Sequence, residues 1–391
     1  MRPSSESMAT AMASEQSDLY IYIACPWTPV GGGMFKVADY LIQSQAQQTP
    51  SHAAQLRPLD SRGAASPAFS LWVLLTALAK ILMGRLSGKL VGVHVNMAGR
   101  MSLFRKGTII AMCRAVGVPS VLHLHTQMDL FYAPMPAFLK NLTRWVFSAA
   151  TTVVVIGPVA RRFVIEVLGV PSDRVEIVIN GVPDASEPRH RAQPGEPQRI
   201  LFIGNLSERK GMTVLLQALA QPGFDRDRLQ VVIAGGGDLE HYREKARALG
   251  VDDFVRFEGW CDQDKTGKLL AAADLLVLPS VDEVLPLVIL EAHANGVAVV
   301  CTPVGEIPSL LTDGVDAFFV TPGDVKDVAE GLQKVLGDPE LLAALSRNGR
   351  ALYEQQFSLR KFFARVARLH QRHFGIAGQA REEFLSQEQA P

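Results

Sequence analysis

The chain has 391 residues, of which 48% are hydrophobic and 20% charged, and its net charge at pH 7 is zero. This length is too great for one ordinary hydrophobic core and predicts two domains, each with its own interior. The four cysteines (Cys25, Cys113, Cys261 and Cys301) lie far apart without a CxxC pair, which excludes a disulfide framework and a typical zinc site and favours a reducing cytoplasm.

The charge is unevenly divided along the chain. Residues 1–190 carry 17 Lys and Arg against 11 Asp and Glu, a net charge of +6, whereas residues 191–391 carry 22 against 28, a net charge of −6. Between residues 61 and 165, 12 basic residues accompany one acid, Asp129. Such a bias suits an anionic partner, whether a lipid headgroup, a phosphate or a nucleic acid.

Runs of β-type residues alternate with helical segments along most of the chain. The predicted strands are LYIYIAC, KLVGVHVN, SVLHLHT, TTVVVIG and VEIVIN in the first half and RILFIGN, LQVVIAGGG, FVRFEGW, ADLLVLPS, AVVCTPVG and AFFVTP in the second. Nearly continuous apolar strands between helices of about 10 to 15 residues predict parallel sheets covered on both faces. Each half is therefore predicted to be a doubly wound α/β domain, with ligands at the carboxyl ends of the strands, in a cleft between the domains.

Composition shifts set the predicted boundaries. A polar extension, residues 1–17, lacks the apolar core of a signal peptide and is expected to be disordered. The first domain covers residues 18–182, a linker rich in Pro and charge covers 183–198, and the second domain covers 199–355. Residues 356–375 read as an amphipathic basic helix that crosses back to the first domain, and 376–391 as a tail.

One apolar run, Leu71 to Met83, has 13 residues with Lys80 inside it. This is short of the roughly 20 residues that span a bilayer, so the run predicts a core or interfacial helix. Basic residues follow it at Arg85, Lys89, Arg105 and Lys106. The combination suits the surface of an anionic membrane.

In the second half, the segment EVLPLVILE places Glu283 and Glu291 at the two ends of six apolar residues and a proline. Pro286 fits the first turn of a helix, because its missing N–H would have no partner there. We therefore predict a helix N-terminus at residues 284–288, whose free amides favour an anion such as a nucleotide diphosphate. The alternative is that both acids are solvated residues at helix ends.

The second half resembles the family 4 retaining glycosyltransferases of the GT-B fold, in IGNLSERKGMTVLLQAL, LLVLPSVDEVLPLVILEAHANGVAVVCTPVGEIPSLL and AFFVTPGD. The resemblance extends over most of residues 150–358, including INGV at residues 179–182. It implies that Glu283 lies by the donor sugar, that Glu291 binds the ribose hydroxyls of the nucleotide, and that Leu285 and Leu287 also belong to the donor site. Val284 stands where the family commonly has glycine.

The segment ILFIGNLSERKG resembles a second part of the family's donor site. The family has Arg directly after the first glycine and Lys before the second, whereas this chain has Asn205 and Lys210. The resemblance implies that Lys210 holds the diphosphate and stabilises charge as the glycosidic bond breaks. Arg209 would partly replace the missing Arg. A solvated basic turn is the alternative.

The first half of the chain contains further candidate site residues. The triplet Gly31, Gly32 and Gly33 between a strand and a helix resembles the family's acceptor-side loop, although it could be only a tight turn. His125 matches the family's histidine near the donor sugar, whereas His123 reads as a satisfied core residue. The two histidines also suggest zinc, but the sequence offers no third ligand.

The resemblance therefore implies a retaining hexosyltransferase without a cofactor, and the charges at the predicted diphosphate site predict that it is metal-independent. The expected partners are a nucleotide-sugar, a saccharide acceptor linked to a polyprenyl diphosphate, as in polysaccharide biosynthesis, and an anionic membrane surface, with no nucleic acid. The expected location is the cytoplasm, peripheral on the inner face of the cytoplasmic membrane. The alternatives are a non-catalytic partner subunit of the same fold and a glycoside hydrolase that uses the two glutamates, which would need carboxyl groups about 5 to 9 Å apart.

Overall fold

The computed structural model describes residues 18–27, 32–45, 53–63, 67–99, 101–187 and 196–376. It divides into two compact units. Unit 1 comprises the chain up to Asn180 together with the residues from Leu359 onward, and unit 2 comprises Gly181–Ser358. The predicted extension, the tail from residue 377 and linker residues 188–195 lie outside the described residues.

Unit 1 is built around a six-stranded parallel sheet of order β2-β1-β3-β4-β5-β6. Its strands are β1 (Tyr20–Cys25), β2 (Gln55–Asp60), β3 (Leu90–Met97), β4 (Ser120–Leu124), β5 (Thr152–Val155) and β6 (Val175–Ile177). The helices between them are α1 (Gly33–Gln43), α2 (Pro67–Leu86), α3 (Met101–Ala115), α4 (Met128–Tyr132), α5 (Ala137–Ala149) and α6 (Pro158–Glu166). The central strands are almost wholly buried because helices cover both faces.

Unit 2 repeats this plan with a parallel sheet of order β12-β11-β10-β7-β8-β9. Its strands are β7 (Gln198–Ile203), β8 (Leu229–Ala234), β9 (Val255–Gly259), β10 (Leu275–Leu278), β11 (Ala298–Cys301) and β12 (Phe318–Phe319). Its helices are α7 (Met212–Leu219), α8 (Leu239–Ala248), α9 (Gln263–Ala272), α10 (Leu287–Ala294), α11 (Ile307–Leu310), α12 (Val325–Gly337) and α13 (Pro339–Leu352). The two doubly wound units confirm the predicted α/β fold class.

A final helix, α14 (Leu359–Phe374), follows unit 2 in the chain and belongs to unit 1. It buries one apolar side, which includes Phe362, Val366 and Leu369. Phe374 lies over Gly92 of β3, where an added Cβ would come within 2.5 Å of the phenyl ring. Close packing against the sheet therefore depends on the absence of a side chain at this glycine.

Every strand predicted from the sequence is present, but one strand was missed. The segment QLRPLD forms β2, at the edge of the unit 1 sheet. Its polar residues interrupt the apolar pattern that is typical of a strand, and a proline such as Pro58 is uncommon within strands. An edge strand tolerates proline because one side of its backbone needs no ladder hydrogen bond.

The apolar run after β2 forms a longer helix than the sequence predicted. α2 has 20 residues instead of 13, and its segment Ala68–Leu86 is long and apolar enough, by length and composition alone, to cross a membrane. The same helix is the crossover from β2 to β3 and packs on both strands and on α3. The prediction that this apolar segment is too short to span a bilayer is therefore wrong as regards its length.

Candidate donor site

The order of strands in unit 2 predicts where a ligand binds. The chain runs from β7 outward to β8 and β9, then returns to β10 on the other side of β7. In such sheets a crevice opens at the carboxyl ends of the two strands where the direction reverses. Here the loops that follow β7 and β10 border this point, and they carry Lys210 and Glu283.

Backbone contacts hold these two loops together. Residues Glu208–Lys210 form a single 3-10 turn that ends at Gly211, whose φ of 72° is left-handed. A Cβ at Gly211 would lie 2.0 Å from the carbonyl oxygen of Pro279, which follows β10. The N–H of Val281 donates to the carbonyl of Arg209 at 2.9 Å. Glycine is therefore required here both for its backbone conformation and for the close approach of the loops.

The ionic centre of the site is the pair formed by Lys210 and Glu283. Lys210 Nζ donates to Glu283 Oε1, and the two side chains are only 13% and 8% exposed. Ser280 Oγ donates to the same carboxylate oxygen at 3.1 Å, and Arg209 Nη1 lies 4.0 Å from Oε2. These donors fix the orientation of the carboxylate. Two residues separated by 73 positions in the chain thus form one charged unit.

Beyond Glu283, α10 begins at Leu287, within the predicted range 284–288. Pro286 is its N-cap residue and does not lie in the first helical turn, where the sequence placed it. Glu291 is the fifth helical residue and is partly buried, so it lies just over one turn inside the helix. Leu285 is 5% exposed and Leu287 is partly exposed. Glu283 precedes the helix in an irregular loop, as expected.

A glycine-rich loop, predicted from the sequence only as the end of a strand, also borders this edge of the sheet. Gly235, which follows β8, has a φ of 148°, and a Cβ there would lie 1.7 Å from the carbonyl oxygen of Gly204. Leu206 N–H donates to Gly236 at 2.7 Å, and Asn205 is exposed beside this loop. The signal was the triplet AGGG itself, since three glycines after a buried strand indicate a close backbone approach.

The candidate residues of unit 1 lie at the carboxyl end of its own sheet. His125 follows β4 and donates from Nε2 to Asn96 Oδ1 at 2.8 Å, which leaves Nδ1 as the free acceptor. Gly32 is the N-cap of α1 and Gly33 is its first residue, neither with positive φ. Gly31 lies outside the described residues. The structure thus places Gly32, Gly33 and His125 in unit 1 and the predicted donor-binding residues in unit 2.

His123 belongs to a chain of buried histidines that the sequence did not predict. His94 Nε2 lies 3.1 Å from His123 Nδ1, and His94 Nδ1 lies 2.9 Å from His370 Nε2 on α14. Burial lowers the pKa of His94 to about 3 and the pKa values of His123 and His370 well below their usual range. His123 Nε2 has no hydrogen-bond partner among the described residues, so the expectation of a fully satisfied core histidine is only half right.

Within the described residues, no group of three or more His, Cys, Asp or Glu side chains could hold a metal ion. The chain has two Asp-x-Asp triplets, Asp225-Arg-Asp227 and Asp262-Gln-Asp264, a pattern that can hold a divalent ion. Asp262 caps α9 by accepting from the N–H of Lys265, whereas Asp225 precedes a short turn without a side-chain cap.

Two doubly wound units with this crevice define the GT-B fold class, and comparison with known proteins identifies the family. Residues 184–352 match the family of glycosyl transferases group 1, and residues 67–186 match glycosyltransferase family 4. Together the matches cover well over half of the chain. The chain belongs to the group 1 glycosyltransferases, with a family 4 N-terminal part.

Among curated relatives, a D-inositol 3-phosphate glycosyltransferase of Thermobispora bispora is 30% identical over 279 residues, 65% of this chain and 65% of the relative. An uncharacterized glycosyltransferase of Methanocaldococcus jannaschii is 30% identical over 199 residues, 48% of this chain and 51% of the relative. The chain therefore spans between half and two thirds of the length of these relatives.

Solved structures share the fold at lower identity. Anabaena HepE in complex with UDP and glucose has a TM-score of 0.71 at 18% identity, covering 90% of this chain and 99% of that one. Sucrose-phosphate synthase from Thermosynechococcus elongatus has a TM-score of 0.73 at 18% identity, covering 91% and 99%.

Proposed function

We propose that this protein transfers a hexose from a nucleotide-sugar to an acceptor hydroxyl with retention of configuration at the anomeric carbon. The observation that carries the proposal is the Lys210–Glu283 pair at the reversal point of the unit 2 sheet, with Glu291 on the helix that follows. Family membership and the UDP complex of HepE support a nucleotide-sugar as the donor.

Each donor-site residue has a chemical role in this proposal. Lysine carries three N–H donors, and Lys210 gives one to Glu283, so two remain for the leaving diphosphate. The N–H groups at the start of α10 add positive potential. Glu291, as an acceptor-only carboxylate, suits the ribose hydroxyls, and Glu283 suits a sugar hydroxyl. In the retaining mechanism that the family resemblance implies, the leaving phosphate helps to deprotonate the acceptor, and His125 is the histidine that the resemblance assigns to the donor sugar.

The decisive experiment is a panel of nucleotide-sugars, scored by nucleotide release and by isotope exchange with purified protein. Turnover of one nucleotide-sugar, with the anomeric configuration of the product conserved, supports the proposal. Nucleotide binding without any turnover identifies a non-catalytic partner subunit instead, an alternative that Val284 and Asn205 motivate. Hydrolysis of a glycoside without any nucleotide identifies a glycosidase, which would have no use for Lys210.

Metal independence is expected from the charges at this site. Lys210, Arg209 and the start of α10 supply positive potential for the diphosphate, so no magnesium ion needs to bridge it. Sugar transfer should therefore persist in excess EDTA. Loss of activity in EDTA and its return with magnesium or manganese would show that the charge assignment is wrong.

For the acceptor, we propose a lipid-linked saccharide at an anionic membrane surface. The inner side of α2 buries Val73, Ala77 and Ile81, while its outer side exposes large apolar residues, namely Phe69, Leu71, Trp72, Leu75, Leu82, Met83 and Leu86. Trp72 is 60% exposed and Leu86 77%, and exposed basic residues on the same helix include Lys80 and Arg85. An apolar helix face with basic neighbours fits the boundary between headgroups and acyl chains.

Sedimentation with liposomes tests this membrane proposal. At low salt the protein should pellet with vesicles that contain phosphatidylglycerol and remain in solution with pure phosphatidylcholine. The double substitution Trp72→Ser and Leu75→Ser should weaken pelleting about tenfold or more, since two large apolar contacts are lost. Trp260→Ser, a change of a tryptophan that is 65% exposed on unit 2, is the matched control and should have no effect. Equal pelleting of all three proteins would contradict the proposal.

A further inference from the structure

Three basic side chains of unit 1 lie close together at the carboxyl end of its sheet. Arg62 follows β2, and Arg105 and Lys106 belong to α3, which follows β3. We name Arg62, Arg105 and Lys106 the basic cluster. The order β2-β1-β3 makes β1 and β3 the strands where the chain reverses direction, so this is also the edge where doubly wound sheets bind ligands.

Lys106 is fully buried, and the one hydrogen bond that its side chain makes to a described residue goes to a neutral group. Its Nζ donates to Ser61 Oγ at 2.6 Å, and Ser61 is fixed at the sheet edge because its N–H donates to the carbonyl of Cys25 at 3.2 Å. Burial lowers the pKa of Lys106 to about 7, and repulsion from Arg105 adds to this effect. A buried ammonium needs more compensation than one hydroxyl provides.

The two arginines also lack acidic partners among the residues that the structure describes. Burial and repulsion from Arg62 lower the pKa of Arg105, and the buried Nε of Arg105 has no hydrogen-bond partner among the described residues. Across the described part of the chain, no member of the basic cluster forms a salt bridge. Asp60, the nearest acid, has both oxygens engaged by the N–H groups of Trp27, Arg62 and Gly63.

Two arginines and a buried lysine share one nearby carboxylate, that of Asp60, so the cluster keeps a net positive charge that an anionic ligand would compensate. We propose that the basic cluster, with Ser61, binds a phosphoryl group of the acceptor substrate. Arg105 offers a guanidinium that suits two phosphoryl oxygens, and Lys106 offers two further N–H donors. The identity of the acceptor rests on the proposed function, but binding at the cluster needs neither donor nor turnover.

Calorimetric titration with inorganic phosphate at constant ionic strength tests the site. Arg105→Gln and Lys106→Met should each weaken binding about tenfold or more, as expected for the loss of one charge-assisted hydrogen bond. Lys210→Met removes the phosphate contact proposed in unit 2, so phosphate binding that is lost in this variant but kept in the cluster variants belongs to the donor site. Arg114→Gln, an exposed arginine on the same helix, is the matched control.

Proton uptake separates ligand binding from a purely structural role of Lys106. At pH 8 the amine is largely neutral, so phosphate binding should take up close to one proton, measured from titrations in buffers of different ionisation enthalpy. Lys106→Arg should retain binding without this uptake, because arginine stays protonated. If Lys106→Met does not fold, Arg105→Gln decides the question.

The proposal is overturned if wild-type protein does not bind phosphate, if only Lys210→Met weakens binding, or if the cluster variants bind as the wild type does. None of these results depends on sugar transfer, so each is distinct from a failure of the proposed function.

A second experiment identifies the source of the phosphoryl group. If the wild-type protein binds to phosphatidylcholine vesicles that contain polyprenyl phosphate and the Arg105→Gln variant does not, the acceptor is lipid-linked. If only a soluble sugar phosphate competes with inorganic phosphate for the cluster, the acceptor is soluble.

Discussion

Replacement of Lys210 or Glu291 by alanine should lower the rate of sugar transfer about tenfold or more, as the loss of a charged contact in the transition state generally does. In the proposed donor site, Lys210 carries the positive charge nearest to the leaving diphosphate, and Glu291 is the residue proposed to bind the ribose. The fold should remain, because Ser280 and Arg209 still contact Glu283 when Lys210 is absent. Steady-state rates and the thermal unfolding temperature of each variant are the measurements.

The two substitutions should differ in which kinetic constant changes. Loss of the ribose contact in Glu291→Ala should appear mainly in KM for the nucleotide-sugar, whereas loss of Lys210 should appear mainly in kcat. Lys326→Ala and Glu330→Ala are matched controls, since these two residues form an exposed ion pair on α12 of the same unit. Wild-type rates in Lys210→Ala and Glu291→Ala would remove the donor-site assignment.

Mild acid should unfold unit 1. His94, His123 and His370 are fully buried and have lowered pKa values in the folded protein. Above about pH 6.5 they are neutral in both folded and unfolded chains. Below that value the unfolded chain takes up protons that the folded chain does not, so stability falls with pH by up to about 1.4 kcal/mol per histidine and pH unit, or about 4 kcal/mol per unit for all three.

Chemical unfolding at a series of pH values measures this slope. In the Trp260→Phe variant, all remaining tryptophans (Trp27, Trp72 and Trp145) belong to unit 1, so fluorescence reports that unit. His94→Gln should reduce the slope by about a quarter to a third, because one proton fewer is taken up on unfolding, while His125, whose pKa burial lowers to about 3, also contributes. His241→Gln, on exposed α8 of unit 2, is the control. A stability that stays constant from pH 7 to pH 5 would contradict the prediction.

Sequence alone predicted the fold class and the parts of the donor site. Continuous apolar strands and intervening helices require parallel sheets, because both faces of such strands must be covered. Glu283 before a helix, Glu291 inside it and Lys210 before a glycine could all be placed from local pattern. These features depend on residues near one another in the chain, so periodicity and turn chemistry report them directly.

Tertiary structure alone decided which distant residues meet. The contact between Lys210 and Glu283 follows from the adjacency of β7 and β10, strands that are separated in the chain by β8 and β9. The histidine chain joins strands β3 and β4 to α14, a helix almost 250 residues further along than His123. The basic cluster likewise arises because the loop after β2 and helix α3 meet at one sheet edge. These contacts depend on the order of the strands in each sheet and on where the last helix docks. The hydrophobic pattern of the sequence predicts neither, because any order of equally apolar strands buries the same side chains.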